Sequence, residues 1–318
     1  MSLRRFIVQR ILVSIPVLLG VSVITFGLVH LAPTDVVDII IGLNPDATAA
    51  DKAQLRAELG YDRPIYVQYF DWLTSALQGD FGEVYTRGQT AGELIASRWQ
   101  ETVLLGLFGW TFALLIAIPT GIYAAVRKGK LGDDAARFVA LTGISIPNFW
   151  LGLTLLALFA VQFNIWSASV PRAPLWSAEM LKWLILPGIT IGSAAAANLM
   201  RIMRTSMVEE LNKEYVTAAR AKGLPERTVV LKHVLRNSLI SVVTVAAFLT
   251  AGIVAGSVVV ESVFGWPGLG ILLVEAATKQ EVNLILAITL FTGVAIVLAN
   301  LLADILYAVL DPRIRDEY

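Results

Sequence analysis

The chain has 318 residues, 56% hydrophobic and only 16% charged, with a mean hydropathy of +0.69, where a soluble domain carries about 25% charged residues. Its 25 Lys and Arg balance 25 Asp and Glu, so no net basic field marks it for nucleic acid. With no Cys and only two His, His30 and His233, it has no disulfides, no thiolate nucleophile and no ready metal centre.

Six apolar blocks are long enough for a helix to cross about 30 Å of hydrocarbon. They are Ile11–Leu31, Thr102–Val126, Phe138–Phe163, Trp183–Met200, Ser238–Val260 and Val282–Ala303. The pattern predicts an all-α integral membrane protein with six transmembrane helices. The first block is too long for the apolar part of a signal peptide and no small-residue cleavage site ends it, so it is read as an uncleaved span. Lys and Arg set the topology: residues 1–10 hold three, 127–137 four and 201–237 eight, against two in 164–182 and one in 261–281. Both termini are therefore expected in the cytoplasm.

The outer segment 32–101 is polar. Its "NPDATAADKAQLRAELG" reads as a helix stopped by Gly60, and Pro64 starts an amphipathic stretch through Trp72 to Leu77. "GDFG" at 79–82 marks a turn, and Thr90 with Glu93 forms a capping box for a helix running toward the second span. A cap, a docking surface and a plain spacer all fit this segment.

Span 3 contains "SIPNFW", where Pro147 kinks the helix and Asn148 brings a polar group to membrane depth. Span 4, "LPGITIGSAAAAN", is rich in small residues, and span 5 has Gly252 and Gly256 at small-xxx-small spacing. Such residues let backbones approach within lipid, and packing inside one bundle is the favoured use over a dimer seam. No Asp, Glu, Lys or Arg lies near the middle of a span, which argues against an ion-coupled carrier and against an intramembrane carboxylate pair. Ser145, Ser193 and Ser257 lack a visible His or Lys partner, so no catalytic residue is assigned. "RKGK" at 127–130 is a basic turn and not a phosphate loop. Uphill transport would draw its energy from another polypeptide.

Residues 201–237 cannot lie in hydrocarbon, where each Lys or Arg costs roughly 2.5–3.5 kcal/mol. Ser206 and Glu209 fit a capping box, Met207, Leu211, Tyr215, Ala218 and Lys222 make a helical stripe, and Glu209 with Lys213 is an i,i+4 pair. Gly223 supplies a left-handed stop and Pro225 suits the first turn of a second helix. Leu231, Val234 or Leu235, and Leu239 carry the stripe into span 5. The segment reads as two amphipathic helices with a sharp bend. A small patch at Ala218–Ala219, ringed by Arg220, Lys222 and Arg227, suits insertion into a partner's groove. A topogenic connector folded on its own bundle has the same pattern, and both readings stand.

Thr217–Asn237 resembles the "EAA" cytoplasmic loop of type I ABC-importer permeases, in the variant of dipeptide and oligopeptide systems. Thr217 stands where the general motif has Glu, followed by Ala218, Ala219 and Gly223, and "ARAKG" and "HVLRN" match the peptide-permease form. "RRFIVQRILVSIPVLLGVSVITFGLVHLAPTD" looks like the N-terminus of the first permease subunit of such systems, with Thr34 and Val36 departing from "H-x-x-P-G-D-P". "ESVFGWPGLG" (Glu261–Gly270) and "NLLADILYAVLDPRIR" (Asn300–Arg315) resemble the outer hairpin and the C-terminal signature of the family.

The resemblance implies a MetI-like permease core over 94–308 with its coupling loop at 201–237. The first helix lies in 1–31, an extracytoplasmic segment in 32–101 and a cytoplasmic tail in 309–318. It implies half of the translocation path of an ATP-driven, binding-protein-dependent importer in the inner membrane of a prokaryote. Di- or oligopeptides are the expected cargo, with glutathione, nickel complexes or oligosaccharides as alternatives. The implied partners are a homologous second permease, two ATPase subunits or domains, an extracytoplasmic substrate-binding protein and membrane lipid. This chain is expected to bind no cofactor and no metal, ATP and Mg being used by the ATPases. The coupling residues carried over are Thr217, Ala218, Ala219, Arg220, Lys222, Gly223, Leu224, Pro225 and Arg227. Gly223 would be the pivot, the two alanines the close contact and the three bases the electrostatic guides. Glu261, Phe264, Trp266 and Pro267 are a candidate outer gate, with the two aromatics expected at the membrane interface. Asn148 and Asn198 are candidates for the substrate path or for bonds between neighbouring helices.

Overall fold

The computed structural model describes residues 3–31, 36–42 and 47–310. The departure at Thr34 and the Asp311–Arg315 end of the C-terminal block lie outside the described residues. In chain order the helices are α1 (Leu3–His30), α2 (Val36–Gly42), α3 (Ala49–Glu58) and α4 (Ile65–Leu77). A two-residue hairpin, β1 (Glu83–Val84) with β2 (Gln89–Thr90), pairs Glu83 with Thr90 antiparallel. Then come α5 (Ala91–Ala96), α6 (Trp99–Val126), α7 (Leu131–Ser145), α8 (Asn148–Leu156), α9 (Ala178–Trp183) and α10 (Ile185–Leu211). The last are α11 (Glu214–Ala221), α12 (Glu226–Thr228), α13 (Leu235–Phe264), α14 (Leu269–Thr278) and α15 (Val282–Leu310). Single π-helical turns extend α8 over Ala157–Gln162 and join α12 to α13 over Val229–Val234.

These elements form two compact units, one of residues 11–100 with 267–297, the other of 101–266 with the flanking ends of the chain. In the first unit the turn chemistry follows the sequence. Gly60, at φ +74°, follows α3, Pro64 caps α4, and Gly79 and Gly82 take positive φ in the turn before β1. The Thr90–Glu93 capping box forms at α5. Thr48 and Asp51 make a second box at α3, which the sequence reading had not separated from the rest of that helix.

Among the described residues, five helices are long and apolar enough to cross a membrane, and two bent pairs pass the same test. Counting α7 with α8 as one span, and α13's end with α14 as a re-entrant pair, gives the six spans read from the sequence. The third span is not the kinked continuous helix expected, however. Its halves meet at 100°. Pro147 has no N–H to donate and drives Ile146 to an extended ψ of 122°, so the helix ends and restarts.

In the second unit α10 packs against α13, α7 and α8, with Gly192, Ala195, Ala196 and Ala197 buried. The backbones of α6 and α10 nearly touch: a Cβ on Gly192 would fall 2.3 Å from the Gly109 carbonyl oxygen. The small residues of span 4 therefore serve helix approach within the chain. Gly252 makes no such approach, since among the described residues nothing lies within 4 Å of its Cβ position.

Two local expectations in the insert after α10 are also corrected. Ser206 caps nothing, because α10 runs without interruption through Leu211 and buries Ser206 in mid-helix. Lys213 pairs with Glu210, three residues back, instead of Glu209.

Candidate coupling site

After α10 the chain turns at Asn212 and Lys213 into α11, then bends at Gly223. The last turn of α11 closes by bonds from Lys222 N to Ala218 O (3.1 Å) and from Gly223 N to Arg220 O (2.9 Å). Gly223 takes φ +77°, with no atom within 4 Å of its Cβ position, so its glycine serves backbone geometry alone. Pro225 at φ −64° caps α12. One face of this bend is anchored: Val216, Val229, Val230 and Val234 are buried in the same core as Met203 and Met207 of α10.

A polar clamp adds to that anchor. Tyr215 Oη donates to Glu210 Oε2 (2.7 Å) and accepts from Asn237 Nδ2 (3.2 Å). Burial, with the Glu210 carboxylate second, pushes the Tyr215 hydroxyl above its ordinary value and keeps the donor protonated. The opposite face is open. Thr217, Ala218, Arg220, Lys222, Gly223, Leu224, Pro225 and Arg227 are all exposed.

The structure separates residues that the sequence had grouped. Ala219 is half-buried against the unit's core while Ala218 is exposed, so only Ala218 is presented for close contact. Arg220 also spans the bend: Nε and Nη2 donate to Glu226 Oε2 (3.1 Å) and Oε1 (2.6 Å). The bidentate pair fixes α11 relative to α12. Lys222 and Arg227 are the other exposed bases beside Gly223.

Sequence reasoning missed the fastening just upstream. Asp133, 1% exposed at the start of α7, takes Arg204 of α10 in a bidentate pair, Nε to Oδ1 at 2.5 Å and Nη2 to Oδ2 at 2.6 Å. Gly129 N donates to Oδ2 as well, at 3.0 Å. The signal was there in Asp133, three residues after "RKGK" and an acid in the first turn of a helix, but its partner lies 71 residues away.

The candidate gate residues are not interfacial. Phe264 and Trp266 are 2% and 0% exposed, Trp266 stacking on Trp183 with centroids 5.5 Å apart and Phe264 meeting Trp183 edge-on. Trp266 Nε1 donates to Glu101 O (2.9 Å), which explains why a large amphipathic ring is held inside instead of at the interface. Glu261 is fully buried and accepts from Thr102 Oγ1 at 2.8 Å. The turn itself is made by Gly265 at φ +65°, and within the unit of residues 11–100 and 267–297 the Pro267 carbonyl accepts from Arg98 Nη1 (3.1 Å). Asn148 opens α8 and is half-buried. Asn198 bonds only locally on α10, to Ala194 O (2.9 Å) and from Arg201 (3.4 Å), so it does not tie neighbouring helices together.

A helical membrane bundle with a broken third span and a stiff bent insert after the fourth defines an importer permease of type I. The inward-facing MetNI methionine ABC transporter shares this fold, with a TM-score of 0.53 over 69% of this chain and 96% of that one at 19% identity. The chain belongs to the binding-protein-dependent transport system inner membrane component family, whose model matches residues 117–316, and residues 3–92 match the N-terminal model of the same systems. It is 38% identical to the oligopeptide transport system permease protein AppB of Bacillus subtilis over 97% of this chain and 98% of the relative. It is 40% identical to a putative peptide permease of Brucella ovis, over 98% and 99% of the two chains. The glutathione transport system permease protein GsiC of Salmonella choleraesuis is 40% identical over 98% of each. The protein is thus a multi-pass inner-membrane permease of an ABC importer.

Proposed function

We propose that this chain forms one half of the path of an importer for short peptides and takes its power stroke at the bend around Gly223. The observation that carries the reading is an exposed helix–turn–helix, anchored on one face by buried valines and braced across the turn by Arg220 and Glu226. A lever must transmit displacement without folding up, and an anchored, cross-braced bend meets that need. The chain has no phosphate-binding loop in its sequence, so ATP and Mg are assigned to two partner ATPases. A homologous second permease completes the path, and an outer binding protein delivers substrate. Both termini and the bend lie on the cytoplasmic side, following the Lys and Arg distribution. Peptide cargo rests on the relatives named for oligopeptides and peptides. The glutathione permease sits within the same class, since glutathione is itself a tripeptide.

The test is co-purification of the ATPases with tagged protein, comparing wild type with Ala218→Trp and Gly223→Ala. Ala218→Trp adds bulk on the exposed face without touching the core, while Gly223→Ala strains the left-handed turn by roughly 1–2 kcal/mol. Loss of the ATPases from Ala218→Trp, with an unchanged elution profile of the permease, is the expected result. Retention at wild-type levels in both variants overturns the coupling assignment. Uptake of labelled dipeptide, pentapeptide and glutathione by the reconstituted importer then sorts the cargo.

A further inference from the structure

The unit of residues 11–100 and 267–297 encloses a cavity of about 350 Å³, within the roughly 300–1,000 Å³ range of small-molecule sites. Its wall is aromatic, with Phe26, Tyr61, Trp72, Phe81 and Tyr85. Phe26 and Trp72 lie 5.9 Å apart between centroids, and Phe26 stacks on His30 at 4.1 Å. The polar side is braced: His30 Nδ1 is 2.8 Å from Phe26 O, Nε2 is 3.3 Å from Gln68 Oε1, and Gln68 donates to Arg63 O at 2.8 Å. The rim carries the carboxylates of Glu58, Asp71 and Asp80 against the single guanidinium of Arg63, which Asp71 already pairs. Burial, then the charges of Glu83 and Glu281, pushes the Tyr85 hydroxyl above its ordinary value.

We propose that this cavity binds the amino end of a small molecule that carries a protonated amine on an apolar or aromatic body. The aromatic wall takes the body and the face of a ring attracts the ammonium. The acidic rim selects for positive charge. The amino-terminal residue of a short peptide has this chemistry, so the physiological ligand, though not the chemistry of the cavity, rests on the peptide reading above.

The experiment is calorimetric titration of the purified full-length chain in nanodiscs, without ATPases, with three probes sharing one ring. Phenylalaninamide and phenethylamine carry the ammonium, and N-acetylphenylalaninamide does not. The two cations are expected to bind at least about tenfold tighter than the acetylated probe. Asp80→Asn keeps the acceptor for Gly82 N and is expected to weaken only the two cations. Ser75→Phe fills the cavity and is expected to abolish binding. Equal affinity for all three probes, no binding by wild type, or identical titrations for wild type and Asp80→Asn each overturn the proposal. Transport of peptides by the assembled importer is read separately, so a failure here and a failure of the peptide reading remain distinguishable.

Discussion

Replacing Asp133 with Asn tests how firmly the end of α10 is held above the bend. Asp133 is 1% and Arg204 18% exposed, and the carboxylate receives two guanidinium bonds and one backbone bond. Asn keeps the size and one carbonyl acceptor, enough for Gly129 N or for one Arg204 nitrogen, but loses the charge. Breaking a fully buried ion pair on one side costs about 3–5 kcal/mol because the other charge is stranded. Arg204 retains some contact with solvent, so the lower end applies, about 3 kcal/mol. At about 2 °C per kcal/mol for a chain of this size, the apparent Tm of the detergent-purified protein should fall on the order of 6 °C. The joint replacement Asp133→Leu with Arg204→Met removes both charges and should cost less than either single change. A Tm for Asp133→Asn within 1 °C of wild type (about 0.5 kcal/mol) would refute the reasoning, and so would a double variant worse than both singles.

Gly192→Ala should destabilise by about 1–3 kcal/mol, because the new methyl meets a backbone oxygen of α6 that cannot rotate away. Thermal unfolding checks it, with Gly252→Ala, which faces open space, as the silent comparison. Trp266→Ala should cost about 3–5 kcal/mol as a buried ring lost from the Trp183 stack, whereas an interfacial anchor would lose far less. The Arg220–Glu226 pair is 45% and 55% exposed, so its contribution to stability is at most about 1 kcal/mol. Its signature should be functional: Arg220→Glu alone lowers substrate-stimulated ATPase activity, and Arg220→Glu with Glu226→Arg restores it. No rescue in the double variant means that Arg220 acts on a partner instead of on the bend.

What could be read from the sequence and what could not divides along one physical line. Hydrocarbon imposes a length, so six apolar blocks were visible without knowing any contact, and α1, α6, α10, α13 and α15 fall on five of them. Backbone stereochemistry is equally local. Gly60 and Gly223 were legible as left-handed stops because only glycine adopts such φ at no steric cost, and Thr90 with Glu93 because a capping box spans three residues. The errors came where a local pattern has two outcomes. Ser206 and Glu209 look like a cap, but the membrane surface does not interrupt a helix, and α10 continues past it. Trp266 has the composition of an interfacial residue, and only the Glu101 carbonyl and the Trp183 ring, 165 and 83 positions away, draw it inside.

The same distinction bears on the bend. All three of its bases are exposed, yet one of them, Arg220, is paired across the turn, because Glu226 stands six residues after it on the far side of Gly223. Spacing within one helix does not bring such residues together; the left-handed glycine does. The bend thus makes its own brace. That is why a substitution at Gly223 should loosen the whole insert, while one at Ala218 should alter only what the insert touches.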